Sequence, residues 1–260
     1  MADLAFAERA RREAARYGGG PWVFVRELLQ NARDARARRV RFASRLEGGE
    51  LVVACRDDGD GMTFEHARRY LFRLYASSKD GRHGQAGRFG VGFWSVLAWQ
   101  PERIVVRSWP RRGEPWEVEL DGDLEVLARR RPAAAGHGTE VLLQRGEPAA
   151  EPAGELAEAV ARYGCFLTRL DAPRQALDVR VDGRPVARPF DLPAPRLCFG
   201  GSGLRGVVAL LDRPRVELLA RGLPVREAAC LQDLLAAEEH AARAARPQLG
   251  GGLAPAALLD

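Results

Sequence analysis

The chain has 260 residues, 46% hydrophobic and 29% charged, with a formal net charge of +5. That is enough apolar material for one large domain or one and a half. No apolar run long enough for a transmembrane helix occurs, the N-terminal stretch MADLAFAERARREAARY lacks a signal-peptide core, and Cys55, Cys165, Cys198 and Cys230 are scattered without a CxxC pair. Membrane, zinc and disulfide frameworks are thereby disfavoured, and a reduced, cytoplasmic protein is expected.

In chain order, residues 3–17 read as a short helix with Leu4, Ala7, Ala10, Ala14 and Tyr17 inward. A second, amphipathic helix is predicted from Pro21 to Arg38, entered after Gly18-Gly19-Gly20. Val25, Leu28, Leu29, Ala32 and Ala35 form its apolar face, while Glu27, Asn31 and Asp34 make a separate polar stripe off the core side. Residues 40–43 and 51–55 read as paired strands across a Gly48-Gly49 turn. The second strand runs into Asp57-Asp58-Gly59-Asp60-Gly61-Met62, and Thr63 is the expected N-cap of a helix to about Tyr75.

Residues 76–88, ASSKDGRHGQAGR, have no apolar period and read as a loop. A helix over 89–98 follows, then strands near 103–109, 115–120 and 139–144 and a helix near 154–164. Beyond about 175 the pattern turns to short strands at 177–181, 206–211 and 216–220, a final helix over 227–245 and a loose tail.

Four stretches carry chemistry. The Glu27/Asn31/Asp34 stripe is either a solvated helix face or a hard-cation site with a general base beside it. Asp57-x-Gly59-x-Gly61-Met62 is either an acidic turn or an acceptor for an exocyclic amine with glycines that admit a flat ring. Gly87-x-x-Gly90-x-Gly92 opens a helix, where backbone N–H groups favour phosphate. His137-Gly138-Thr139 leads a strand, and Thr139 is either an ordinary strand start or a partner for a base. The only lysine, Lys79, is either a position that needs a compact ammonium or chance.

Together, in this order, RELLQNARDA, DDGDGM, GRFGVGF and HGTEVLL resemble the four boxes of the GHKL (Bergerat-fold) ATPase superfamily. That superfamily includes gyrase B subunits, the ninety-kilodalton heat-shock chaperones, histidine kinases and the MutL mismatch-repair proteins. GRFGVGF followed by Trp94-Ser95 is most similar to the heat-shock chaperone form, and Ser77-Ser78-Lys79 resembles a MutL- or MORC-type lid.

The resemblance implies a two-layer α/β sandwich, a mixed sheet with helices on one face, over residues 1–165. A partial S5-like, transducer-type α+β region is expected over 166–260. It implies ATP and Mg²⁺ as ligands, with Glu27 as general base, Asn31 on the metal and Asp34 supporting the phosphate side. Asp57 would receive the adenine amine, with Gly59, Gly61 and Met62 along the ring and Thr139 backing Asp57. Gly87, Phe89, Gly90, Val91, Gly92 and Phe93 would bind phosphates, and Lys79 would reach them from the lid. A glutamate at position 27 implies hydrolysis over phosphotransfer to histidine.

The expected activity is slow, chaperone-like ATP hydrolysis coupled to lid closure and conformational change or dimerisation. The alternative is a nucleotide-gated interaction module with negligible turnover. A homodimer or a partner protein is expected. The spread of arginines and an aromatic content of 7% leave nucleic acid open as a partner without any motif for it.

Overall fold

The computed structural model describes residues 2–16, 20–73, 92–133, 136–146, 153–164, 177–186, 195–201, 204–213, 216–220, 223–228 and 230. Helix α1 covers Ala2–Arg16 and α2 covers Phe24–Asp34. The buried face of α2 is the predicted one, with Val25, Leu28, Leu29 and Ala32 in the core. The helix stops earlier than Arg38 because Arg36 takes a left-handed φ of 60°.

Strands β1 (Arg39–Glu47) and β2 (Glu50–Asp57) form a hairpin across Gly48-Gly49. Both glycines have positive φ, 61° and 85°, as a two-residue hairpin turn of primed type requires. Thr63 caps α3 (Phe64–His66) by accepting the His66 N–H at 3.2 Å. The last helical turn, Ala67–Leu71, widens to π geometry, so the regular helix expected as far as Tyr75 is not formed over 67–71. A 3₁₀ helix spans Phe93–Trp99, overlapping the helix expected over 89–98 and running one residue past it.

Next come β3 (Arg103–Trp109), β4 (Trp116–Asp121), β5 (Val126–Arg130), β6 (Gly138–Gly146) and α4 (Ala153–Gly164). β5 is not legible in advance because Val126–Arg130 has no apolar alternation; pairing with β4 alone makes it a strand. β7 (Asp178–Val181) and β8 (Arg184–Pro185) follow. Two hairpins complete the described elements, β9 (Arg196–Gly201) with β10 (Leu204–Ala209), and β11 (Val216–Ala220) with β12 (Leu223–Ala228). The helix expected over 227–245 begins inside strand β12; residues 231–245 lie outside the described residues.

The main sheet has eight strands in the order β5-β4-β3-β6-β2-β1-β7-β8. All neighbours are antiparallel except β1 and β7, which run parallel and make the sheet mixed. Strands β7 and β8 lie beyond residue 165 yet extend this same sheet, past the division expected there. On one face, Phe42, Val53, Ile104, Val106, Leu120 and Leu143 meet Phe24, Leu29, Trp94, Trp99, Leu156 and Val160 from the helices. α1 and α2 pack on the 3₁₀ helix and α2 on α4. Phe6 meets Trp94 edge-on, with ring centres 5.2 Å apart. The expected two-layer sandwich is therefore the fold observed.

The opposite face is charged. Arg107 pairs with Glu140 at 3.0 Å and with Glu117 across neighbouring strands, and Arg130 reaches Glu117 at 3.1 Å.

Candidate functional site

Helix α2 brings two carboxylates and two loops together. Near its N-terminal end stands Glu27, 3% exposed. The stripe expected to look off the core side is therefore not a solvated face at this position. Arg26 donates to Glu27 Oε1 from Nε at 3.1 Å and from Nη2 at 3.0 Å. Oε2 fills the space where a Cβ on Gly92 would stand, so the glycine lets the start of the 3₁₀ helix approach this carboxylate as it is placed here. Asn31, four residues on, shares the face of Glu27 and is half-buried.

At the other end, the backbone of Ala35 receives the Asp60 N–H at 2.8 Å. Gly59 lies against Ala35 so closely that a Cβ would be 2.8 Å from both its Cβ and its carbonyl oxygen. From Glu27 to Ala35 is eight residues, about 12 Å along a helix axis.

Asp57 closes this second end. Its carboxylate accepts the Gly59 N–H at 2.7 Å and the Thr139 N–H. Burial nevertheless raises its pKa from the usual carboxylate value to about 6. Gly138, with φ of 127°, lets β6 reach this strand end, since a Cβ there would overlap the Asp57 carbonyl oxygen. His137 Nδ1 lies 2.7 Å from the Gly59 carbonyl oxygen.

The acids around Asp57 have other work. Asp58 Oδ1 accepts the N–H groups of Arg38 and Arg39, each at 2.8 Å, and Oδ2 accepts Arg39 Nε at 2.8 Å. That capping holds Asp58 below its ordinary carboxylate range. Gly61 has φ of 64°, and a Cβ there would run into the Trp109 carbonyl. The two glycines expected to admit a ring are thus demanded first by the protein's own packing.

Met62 is fixed at both backbone atoms. Its N–H donates to Ser108 Oγ at 2.9 Å, and its carbonyl accepts Trp116 Nε1 at 2.7 Å. Ser108 Oγ is also 3.3 Å from Thr139 Oγ1. Sequence reasoning missed Ser108, Trp116 and Arg26. The signal for Ser108 was present: it is the lone polar side chain at an inward position of RIVVRSW.

Of the expected site residues, Asp57, Gly59, Gly61, Met62 and Thr139 converge at one end of α2 and Glu27 and Gly92 at the other, with Asn31 midway, four residues from both Glu27 and Ala35. Asp34, expected on the phosphate side, is the last residue of α2 and lies at the Gly59 end, because seven residues carry it about 10 Å along the axis. The Phe93 ring is core, packed on Trp94 and Phe72; only its backbone is left for a ligand. Lys79, Gly87, Phe89, Gly90 and Val91 lie outside the described residues.

A resident cage for a metal is absent among the described residues, where no three His, Cys, Asp or Glu side chains cluster. The donor set instead suits Mg²⁺, which takes one or two protein oxygens and the remainder from water and phosphate. Asn31 offers one such oxygen beside Glu27.

Residues 20–132 match the family described as histidine kinase-, DNA gyrase B- and HSP90-like ATPase. The chain is 34% identical over 194 residues to the DNA mismatch repair protein MutL of Thermus thermophilus, covering 72% of this chain and 32% of that protein. It is 33% identical over 187 residues to MutL of Thermus aquaticus, covering 70% and 32%. It is 26% identical over 256 residues to the chaperone protein HtpG of Nitrobacter winogradskyi, covering 75% and 39%. The chain spans about a third of the length of these curated relatives.

Proposed function

Because residues 20–132 belong to the histidine kinase-, DNA gyrase B- and HSP90-like (GHKL) ATPase family, we propose that this protein binds ATP along α2 and hydrolyses it slowly, with lid closure and dimerisation as the output. One observation carries the reading: two carboxylates withdrawn from solvent, buried Glu27 and half-buried Asp57, stand toward opposite ends of α2, each against a glycine, Gly92 and Gly59. Asp57 accepts the adenine amine, with Gly61, Met62 and Thr139 along the base. The phosphates lie toward Asn31, Gly92 and the Phe93 backbone, with Gly87, Phe89, Gly90, Val91 and Lys79 completing their cradle.

Phosphoryl transfer to water needs positioning and charge neutralisation more than covalent help. As the water oxygen bonds to the terminal phosphorus and the bridging P–O bond to ADP breaks, Glu27 accepts the water's proton and returns it to solvent. With Oε1 engaged by Arg26, Oε2 is the atom assigned to that role. Mg²⁺, held by the Asn31 amide oxygen, water and the phosphates, would supply charge neutralisation.

The two MutL relatives exceed HtpG in identity, so the conformational output need not be a chaperone's. A second reading is a nucleotide-gated module with negligible turnover. The Arg26–Glu27 ion pair favours it, since the guanidinium occupies one oxygen of the carboxylate that would take the water's proton. No helix among the described residues is long and apolar enough to cross a membrane.

Turnover of Mg-ATP by wild type and Glu27→Ala, with calorimetric binding alongside, separates these readings. Hydrolysis is expected to fall by about 10²- to 10⁴-fold while binding persists. Equal turnover in the two proteins would remove Glu27 from the mechanism, and binding without turnover in either would establish the gated module.

A further inference from the structure

Read in register across the main sheet, seven side chains on the face away from the helices form one row. They are Arg180 on β7, Arg41 on β1, Arg56 on β2, Glu140 on β6, Arg107 on β3, Glu117 on β4 and Arg130 on β5. From Arg56 onward the signs alternate, and ion pairs join neighbours: Arg56 to Glu140 at 3.9 Å, Arg107 to Glu140 at 3.0 Å, and Glu117 to both Arg107 and Arg130. The alternation breaks at Arg41, which has an arginine directly opposite on each side. Like charges directly opposed destabilise a sheet. Among the described residues Arg41 forms no ion pair.

Its neighbours are already oriented. Asp58 holds Arg39 through Nε at 2.8 Å, and Asp178 holds Arg180 through Nε at 3.1 Å. The Arg56 guanidinium lies 4.4 Å above the Trp109 ring. Binding through Nε leaves the terminal N–H groups of Arg39 for another partner, while Arg180 also donates from Nη1 to the Gly183 carbonyl at 3.5 Å. A notch of about 280 Å³ lies here, lined by Arg39, Arg41, Arg56 and His137 and by two acids, Asp57 and Asp58. Successive residues of a strand point to opposite faces. Arg56 and the carboxylate of Asp57 are therefore on opposite sides of the sheet, and the notch meets the proposed nucleotide site only at Asp57.

We propose that this notch binds a compact phosphate group, the di- or polyphosphate end of a small compound, and that Arg39, Arg41 and Arg56 line it for that purpose. Guanidinium forks match phosphate oxygens bidentately, and oriented arginines lose little freedom on binding. A bound dianion supplies the negative charge that the row lacks at its centre. The volume suits a diphosphate and not a folded polypeptide.

The test is calorimetric titration of inorganic pyrophosphate, in EDTA and saturating ADP, into wild type and Arg41→Glu. The ADP blocks any phosphate position in the nucleotide site. Wild type is expected to bind, and Arg41→Glu to bind about tenfold to a hundredfold more weakly, with ADP affinity unchanged. Thermal melting at low salt gives a second readout. Arg41→Glu completes the alternation, so without pyrophosphate it is expected to melt higher than wild type, which also shows that it folds. No pyrophosphate binding by wild type, or equal binding by the two proteins, overturns the proposal. So does Arg41-dependent binding of a short oligothymidylate without binding of pyrophosphate, since the row would then serve a polymer.

Discussion

Asp57 shows how much a single side chain is asked to do. Two backbone N–H groups favour its charged form, yet burial outweighs them and lifts its pKa to about 6. The sign of the linkage follows. In the unfolded chain the group loses its proton near 3.8, so above about pH 6 the fold carries a desolvated charge that the unfolded chain does not. Asp57→Asn is therefore expected to stabilise the ligand-free protein at neutral pH by on the order of 2–3 kcal/mol. The gain shrinks as pH falls through about 6 and is gone below the ordinary carboxylate range. Urea melts across that interval measure it. The same change is expected to weaken ATP binding by about 1–3 kcal/mol, through a mispaired buried contact. Unchanged ATP affinity would mean that the adenine lies elsewhere. A desolvated carboxylate that costs stability is explained by binding, as strained or desolvated sites commonly are.

Among the elements, α2 is the ruler of the site, and its length sets the distance between the Glu27 end and the Gly59 end. The strands β6, β3, β4 and β5 are tied on the other face by arginines and acids in register. Glu117 is central there: hydrogen bonds from Arg107 and Arg130 hold it below the ordinary carboxylate range against the opposing effect of burial. A depressed acid contributes stability that is present above its unfolded pKa and lost as pH falls through its folded one. Glu117→Gln is thus expected to lower the melting temperature at neutral pH, with the difference from wild type vanishing in acid. A constant difference across pH would show that packing of the side-chain stem, and not charge, holds these strands together.

For the molecule as a whole, the reading predicts linkage between nucleotide and assembly. A non-hydrolysable ATP analogue at a hundred times its dissociation constant should stabilise the fold by about 2.7 kcal/mol. A rise in melting temperature that is lost in Asp57→Asn would report it. If closure leads to dimerisation, the analogue should also double the mass seen by light scattering, and ADP should not. A monomer under both conditions would leave the ATPase reading intact and remove dimerisation from it.

The sequence by itself determined a good deal. The spacing of Val25, Leu28, Leu29 and Ala32 determined which face of α2 is buried, because helical periodicity is local. Gly48-Gly49 determined the β1–β2 hairpin, because only residues tolerant of positive φ close so short a turn. The four boxes determined the family, and the sandwich followed from it. What the tertiary structure alone decided rests on contacts between distant segments. Glu27 is buried because the Gly92 backbone closes over it, 65 residues away in sequence. Gly61 must be glycine because the end of β3 passes against it. Ser108 joins the site because β3 lies beside β6. The strand at 126–130 and the attachment of β7 to β1 depend on free backbone edges, which leave no mark in side-chain pattern. The row broken at Arg41 exists only once the registers of seven strands are known. Local periodicity is written in neighbouring residues; register, burial of charge and the demand for glycine are set by what folds against them.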